Sequence, residues 1–246
     1  MTTQEQKQKF LDLGRRAGFW RRGVDFPRLA RQIFGTDDLR GRSLLEIGCG
    51  KGVFCLWAAM HGAVRTVGLE PMSDGFYDEG DFQHTFMSLA SELGVEGVSM
   101  ETCTLQQYAG AEASFDYVLS VASINHLDEP ACIDLHTNGA SRQKYIEVFT
   151  ALRRLMKSGG ELVILDSSRR NLFGDMGMKS PFQPQIEWHK HQLPEVWVDI
   201  LAVAGFGQAE VTWLGNRALR YLGLPNIPRP VAYCMDSSFR LELRAL

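Results

Sequence analysis

The most informative stretch of this chain is Leu44-Leu45-Glu46-Ile47-Gly48-Cys49-Gly50-Lys51-Gly52-Val53-Phe54. The segment from Ser43 to Glu46 at its start is mostly apolar and ends in an acid, which predicts a buried strand. Glycines at alternate positions then allow a sharp turn and close approach of a ligand, because glycine has no Cβ. The apolar residues 53–60 predict a helix, whose free N–H groups would face whatever the glycines admit.

The spacing of these glycines separates two kinds of nucleotide site. A dinucleotide fingerprint reads G-x-G-x-x-G, whereas here Val53 occupies the position of the third glycine. The chain instead reads E-x-G-x-G-x-G, which resembles the first motif of the class I S-adenosylmethionine-dependent methyltransferases. A second signal is Glu70, which ends the next apolar run. An acid at the tip of a second parallel strand can accept hydrogen bonds from two ribose hydroxyls.

The resemblance spans about residues 40–245 and is strongest at 43–70 and 115–166. It implies an α/β fold with a Rossmann-like, doubly wound, seven-stranded sheet, an antiparallel last strand, N-terminal helices and a cap insertion. S-adenosylmethionine is the cofactor that it implies. The cofactor-binding residues predicted on this basis are Glu46, Gly48, Cys49, Gly50, Gly52, Glu70, Pro71, Thr104, Leu105 and Ser120.

One stretch departs from the family pattern. Many members carry an aspartate just past the third strand, where it meets the adenine amino group, but this chain has Thr102-Cys103-Thr104 there. Backbone groups and a threonine hydroxyl are the alternative means of reading adenine.

Hydrophobic periodicity predicts the other elements. Two helical stretches fall within residues 4–34, and further helices are predicted at 142–157 and 195–204. Predicted strands after the second one cover residues 97–103, 115–121, 161–166, 208–214 and 231–243.

Composition and charge narrow the function. The net charge of −3 gives no electrostatic reason to expect nucleic acid, and the Asn/Asp-Pro-Pro-aromatic motif of base N-methyltransferases is absent after the fourth predicted strand. No apolar run approaches the ~20 residues that cross a bilayer, so we expect no membrane partner. Five cysteines without metal-binding or disulfide spacing predict a cytoplasmic protein. We expect a monomer or a homodimer acting on a small-molecule acceptor.

The chain is predicted to be a single methyltransferase domain, residues 1–246, with two accessory segments. Residues 1–40 would form an N-terminal helical lid, in which Trp20 either contacts the substrate or packs one helix on another. Residues 167–193 are too long a loop for core packing to explain, and such loops are usually functional or disordered. Their aromatic, arginine and histidine content is atypical of disorder, so we interpret them as an acceptor-binding insertion.

The acceptor chemistry is predicted from the histidines. Methylation of a hydroxyl needs a base, and histidine is the natural one near neutral pH. His126 follows the fourth strand, and His189 and His191 belong to the insertion, so these three are the candidate catalytic residues. A purely structural hydrogen bond is the alternative for His126.

Further polar and aromatic residues are predicted to bind the acceptor, which we expect to be a sugar, a glycan or a modest natural product. These residues are Trp20, Asn125, Arg169, Arg170, Glu187 and Trp188. The arginines would hold an anionic group, or one would simply be solvated. A metal site is not predicted, because histidines at i and i+2 face the same way only on an extended segment. Nitrogen, carbon or sulfur methylation, or a non-catalytic cofactor-binding module, stay open as alternatives.

Overall fold

A computed structural model of the chain describes residues 3–19, 25–71, 82–216, 219 and 224–246. Within these ranges the α-helices are α1 (Thr3–Arg16), α2 (Phe26–Phe34), α3 (Val53–Met60), α4 (Phe82–Leu93), α5 (Glu129–Asp134), α6 (Gly139–Leu155), α7 (Leu172–Asp175), α8 (Pro194–Val203) and α9 (Arg229–Tyr233). Short 3₁₀ turns cover Ile124–Leu127 and Trp188–Lys190. The strands are β1 (Ser43–Ile47), β2 (Arg65–Leu69), β3 (Val98–Glu101), β4 (Phe115–Val121), β5 (Met156–Ser167), β6 (Glu210–Trp213) and β7 (Ser238–Arg244).

The seven strands form one sheet in the order β3-β2-β1-β4-β5-β7-β6. Strands β1 to β5 pair in parallel, and β7 enters antiparallel between β5 and β6. The two halves of the sheet meet between β1 and β4, and every residue of β1 is buried. The predicted fold class, including the antiparallel last strand, is confirmed.

Helices cover both faces of the sheet, so side chains of one strand enter two separate cores. Leu45 and Ile47 of β1 pack in a cluster with residues of α5, α6 and α8, whereas Leu44 packs in a second cluster with residues of α1 to α4. This division follows from the alternation of side chains along a strand. It explains why the strand reads as a continuous apolar run.

Some predicted elements have the bounds that the sequence indicates, and others do not. Helix α3 and strand β4 match their predicted ranges, 53–60 and 115–121. The predicted last strand, 231–243, is wrong over its first part, because residues before Ser238 include helix α9. A proline in the first turn of α9 presets a helical φ there. Strand β5 starts earlier than predicted, since Met156 already pairs with Phe115.

The insertion, residues 167–193, is folded against the body of the protein. Asn171 is fully buried, and its side-chain Nδ2 donates to the carbonyl oxygens of Tyr233 and Met235 and to Oγ of Ser237. Trp188 packs so closely on Gly174 that a Cβ there would lie 2.5 Å from its ring. Among the described residues, no helix has the length and apolarity required to cross a membrane.

The contact between α6 and α8 depends on Trp197, and we expect Trp197→Ala to destabilise the fold. Its fully buried ring lies 5.3 Å from that of Tyr145 and 6.1 Å from that of Phe149. Loss of a buried tryptophan should lower the free energy of unfolding by about 3–5 kcal/mol in urea titrations. Val203→Ala on the same helix, at an exposed position, should change it by less than about 0.5 kcal/mol. Equal losses in the two variants would contradict this account.

Candidate functional site

The glycine turn after β1 is held in a backbone conformation that favours glycine. Gly48, Gly50 and Gly52 have φ angles of +66°, +51° and +67°. A Cβ on Gly48 would lie 2.4 Å from Cβ of Ser123, and one on Gly52 would lie 2.4 Å from Cδ2 of Phe86. A Cβ on Gly50 would meet nothing within 4 Å among the described residues. Packing therefore requires two of these glycines, while the third faces space that no described residue fills and that a ligand can occupy.

Glu70 joins the turn to the end of β2. Its Oε2 accepts a hydrogen bond of 2.6 Å from the N–H of Gly50, and its own N–H donates to the carbonyl oxygen of Glu101. Burial raises the pKa of this carboxyl, and the bond from Gly50 opposes that rise. A carboxylate has two oxygens that accept hydrogen bonds, so Glu70 can support the turn and still receive ribose hydroxyls.

Glu46 is enclosed between β1 and α3. Its side chain is buried, and Oε2 accepts a hydrogen bond of 3.2 Å from the thiol of Cys55. Burial raises the pKa of Glu46 to about 8. The neighbouring Cys49 is also buried, and its N–H donates to the carbonyl oxygen of Leu69, which ties the turn to β2.

The end of β4 packs directly against the glycine turn. The hydroxyls of Ser120 and Ser123 lie 2.8 Å apart, and Ser123 donates to the carbonyl oxygen of Ile47 over 2.6 Å. Ser123 was not predicted as a site residue, because only the fold reveals that it crosses to β1. Its signal in the sequence is its position two residues past the end of a parallel strand.

The other predicted cofactor residues lie after β2 and β3. Pro71 follows Glu70 and is half-buried. Thr104 donates from both its N–H and its hydroxyl to Oε1 of Gln107, and Leu105 is buried. The Thr104 hydroxyl is therefore already used within its own turn.

The three candidate histidines have different environments. His126 is exposed, and its Nδ1 lies 3.2 Å from Oε2 of Glu129. His191 is largely buried, and its Nδ1 lies 3.0 Å from Oδ1 of Asp166 at the end of β5. His189 is exposed on the 3₁₀ turn of the insertion. Asp166 was not predicted as a site residue, because a sequence separation of 25 positions from His191 conceals the contact.

The predicted acceptor-binding residues that the structure describes lie in two places, beside His126 and in the insertion. Asn125 is buried beside His126, whereas Trp188 packs on Gly174 and Glu187 forms an ion pair of 2.7 Å with Lys190. The two arginines bind protein groups. These are the carbonyl oxygens of Ile133 and His189 for Arg169, and the carboxylate of Asp175 for Arg170. Trp20 lies outside the described residues.

Strand order fixes the sequence of these groups along the carboxyl edge of the sheet. Because β2, β1, β4 and β5 are neighbours, Glu70, the glycine turn, Ser120 and Asp166 follow one another along this edge. Strands are ~4.8 Å apart, so Asp166 lies about 10 Å from the turn. A ligand whose ribose lies at Glu70 and that crosses the turn would extend towards β4 and β5. In the part of the chain that the structure describes, no cluster of three or more His, Cys, Asp or Glu residues could hold a metal ion.

Comparison with known proteins identifies the family of the chain. A sequence profile described as a methyltransferase domain matches residues 9–206. The chain belongs to this family and has the class I fold of S-adenosylmethionine-dependent methyltransferases. The resemblance stated from the sequence and the cofactor that it implies, S-adenosylmethionine, are thereby confirmed.

Individual relatives share the fold at low sequence identity. The structure is similar to a geranyl diphosphate C-methyltransferase from Streptomyces coelicolor (TM-score 0.62, 15% identity, 89% of this chain and 77% of that one). It is also similar to a methyltransferase from Listeria monocytogenes (TM-score 0.59, 12% identity, 91% of this chain and 100% of that one).

Two curated relatives match shorter parts of the chain. A tRNA U34 carboxymethyltransferase of Marinobacter nauticus is 25% identical over 59% of this chain and 36% of its own length. A ubiquinone biosynthesis O-methyltransferase of Neisseria meningitidis is 29% identical over 41% of this chain and 40% of its own. The chain thus spans about two fifths or less of the length of these relatives.

We expect Gly50→Ala and Gly52→Ala to have different effects. Gly52→Ala combines left-handed strain with a clash on Phe86, so it should lower the free energy of unfolding by about 2–5 kcal/mol. Gly50→Ala brings strain alone, about 1–2 kcal/mol, but its methyl group enters the open space. Calorimetric titration with S-adenosylhomocysteine should show at least about tenfold weaker binding for Gly50→Ala. Unchanged binding would show that no ligand occupies this space.

The buried carboxyl of Glu46 should make stability fall as pH rises. Its pKa is about 8 in the folded protein and near 4.5 otherwise, so between these values the folded state holds a proton that the unfolded state has lost. The free energy of unfolding then decreases as pH rises through this window. Glu46→Gln lacks this titration and should lose less stability than the wild type between pH 5 and 8 in urea titrations. Parallel curves for the two proteins would refute the shift.

Proposed function

We propose that this protein is an active S-adenosylmethionine-dependent methyltransferase that methylates a hydroxyl of a small molecule, with a sugar or glycan as the favoured acceptor class. The observation that carries the transfer activity is the open space at Gly50, bordered by the carboxylate of Glu70. A group with an adenosyl ribose and a methionine chain fits this cradle, because the diol meets a carboxylate and the chain passes a backbone without side chains. The bound cofactor would supply a methyl group on a sulfonium, which is an effective leaving group.

The choice of a hydroxyl is supported by the histidines at the other end of the carboxyl edge. His126 and His191 each have a carboxylate at Nδ1, an arrangement that suits a base for a weakly acidic alcohol. A thiol or amine acceptor would need less help with its proton. The pairing of each histidine with a carboxylate therefore favours a hydroxyl acceptor over a nitrogen, carbon or sulfur acceptor.

The accessory segments complete the proposal. Residues 167–193 would bind the acceptor, with Arg169, Glu187 and Trp188 shaping the insertion, and residues 1–40 would act as the lid. We propose a cytoplasmic monomer or homodimer. A tRNA acceptor, as in the name of one curated relative, is the second candidate. The net charge of −3 favours a small molecule over a polyanion.

The Glu70 carboxylate tests cofactor binding. Glu70→Gln retains a carbonyl oxygen for the N–H of Gly50 but replaces the other acceptor with a donor, so it separates support of the turn from the ribose contact. We expect about 10- to 100-fold weaker binding of S-adenosylhomocysteine, measured by calorimetry. Glu101→Gln, one strand away, keeps its backbone bond to Glu70 and should bind normally. A wild-type protein that binds no S-adenosylhomocysteine would instead be a module without this activity.

Transfer itself is measured with methyl-labelled cofactor and a panel of free sugars, nucleotide sugars, phenols and unmodified tRNA. Label in a sugar or phenol fraction supports the proposal. Label in tRNA alone, or in an amine or thiol added as a further arm, would overturn the assignment of a small hydroxyl acceptor.

A further inference from the structure

We propose that Asp166 and His191 form the working dyad of the acceptor site, in which His191 is the general base and Asp166 positions it. This inference rests on the proposed function, because a hydroxyl acceptor is what requires a base. It selects one of the three histidines and adds a residue from β5 that the sequence did not indicate.

The pair joins the sheet to the insertion. Asp166 is the penultimate residue of β5, and its side chain is 1% exposed, whereas that of His191 is 14% exposed. Oδ1 of Asp166 accepts from Nδ1 of His191 over 3.0 Å and from the N–H of Ser167 over 2.8 Å. The second bond fixes the carboxylate independently of the histidine. The histidine is therefore oriented by a carboxylate that is held at the end of strand β5.

The backbone around His191 is also held in place. The N–H of His191 donates to the carbonyl oxygen of Trp188 over 3.1 Å, and the buried Gln192 donates from Nε2 to the carbonyl oxygen of Cys132. The thiol of Cys132 donates in turn to the carbonyl oxygen of Lys190 over 3.3 Å. A reacting group needs this kind of support to keep its geometry.

Hydrogen-bond polarity assigns the tautomer. A carboxylate can only accept, so Nδ1 of His191 carries the proton and the lone pair is on Nε2. No described residue forms a hydrogen bond with Nε2. Oδ2 of Asp166 is buried and has no hydrogen-bond partner within the described ranges. Its negative charge is thus available to stabilise the imidazolium that forms when Nε2 takes a proton.

His126 is a weaker candidate on the same criteria. Its side chain is 60% exposed, and the Glu129 carboxylate that it contacts also binds Nζ of Lys190 at 2.9 Å. Its Nε2 already lies 3.5 Å from the amide nitrogen of Asn125. An exposed and shared ion pair contributes little, because water screens it. His189 contributes its backbone carbonyl to Arg169.

The proposed step balances without any further reactant. The acceptor oxygen bonds to the methyl carbon, the carbon–sulfur bond breaks, and its electron pair stays on sulfur, which leaves neutral S-adenosylhomocysteine. The hydroxyl proton moves to Nε2 of His191 and is later released to water. Asp166 keeps its charge throughout.

A spectroscopic experiment tests the pair without turnover. In protein labelled with ¹⁵N-histidine, the His191 ring should be in the Nδ1–H form in the wild type and shift towards Nε2–H in Asp166→Ala. Diethyl pyrocarbonate should modify His191 more slowly in that variant, whereas His61, at the end of α3, should react as before. An Nε2–H form in the wild type would overturn the proposal.

Turnover distinguishes a base from a structural contact. With a hydroxyl compound from the panel, His191→Ala should lower kcat about 100-fold or more while KM for S-adenosylmethionine stays unchanged. Asp166→Asn, which keeps an acceptor but loses the charge, should lower kcat by at least about tenfold. The double variant His191→Ala with Asp166→Ala should be no slower than His191→Ala alone, since the two residues act as a unit.

Control variants show which residue is responsible for a loss of activity. Glu195→Gln should retain kcat within about threefold, because it removes only an exposed ion pair with Arg229. All variants should bind S-adenosylhomocysteine as the wild type does, which shows that they are folded. Loss of kcat in His126→Ala but not in His191→Ala would overturn the dyad. If the wild type methylates no compound of the panel, the proposed function fails, and the ring tautomer still decides the dyad.

Discussion

The glycine turn after β1 holds the sheet and its helices together, because a Cβ at Gly48 or Gly52 would clash with a neighbouring side chain. At the end of β1 three glycines have positive φ, and two of them leave room for Ser123 and Phe86, which come from β4's end and from α4. Because these side chains fill the space where a Cβ would stand, the first strand, its neighbour and two helices can meet at one point. No described residue fills the space beside the middle glycine, so we propose that the same turn presents its backbone to the cofactor.

Electrostatics along the carboxyl edge of the sheet follow from strand order. Acids lie at the ends of β1, β2 and β5, but their surroundings differ. Burial raises the pKa of Glu46 and of Glu70, and only Glu70 is near open space while bonded to the turn. Asp166 lies on the other side of β4 and faces a histidine from the insertion. One edge thus carries the carboxylate that we propose for the ribose and the histidine that we propose as the base, on opposite sides of the glycine turn.

Sequence patterns predict the bounds of an element where the residues that define it are adjacent in the chain. Helix α3 and strand β4 have their predicted bounds, because each is a mostly apolar run, and Gly52 and Gly62 flank the helix. The last strand was misjudged because an apolar stretch near Tyr233 fits a helix or a strand equally well. The roles of the arginines were also hidden, since Arg169 binds backbone carbonyls of two distant segments.

The class of fold, the glycine turn and the acid after the second strand are predictable from the amino-acid sequence, because they depend on residues close together in the chain. The sequence also marked residues 167–193 as unusual by their length and composition. Which carboxylate contacts which histidine becomes apparent only in the folded protein. Glu187 is close to His191 in the chain, yet it pairs with Lys190, while Asp166 reaches the ring from β5. The reason is physical: a side-chain pair forms where folded segments meet, and no periodicity in the sequence records how the insertion lies against the strand ends.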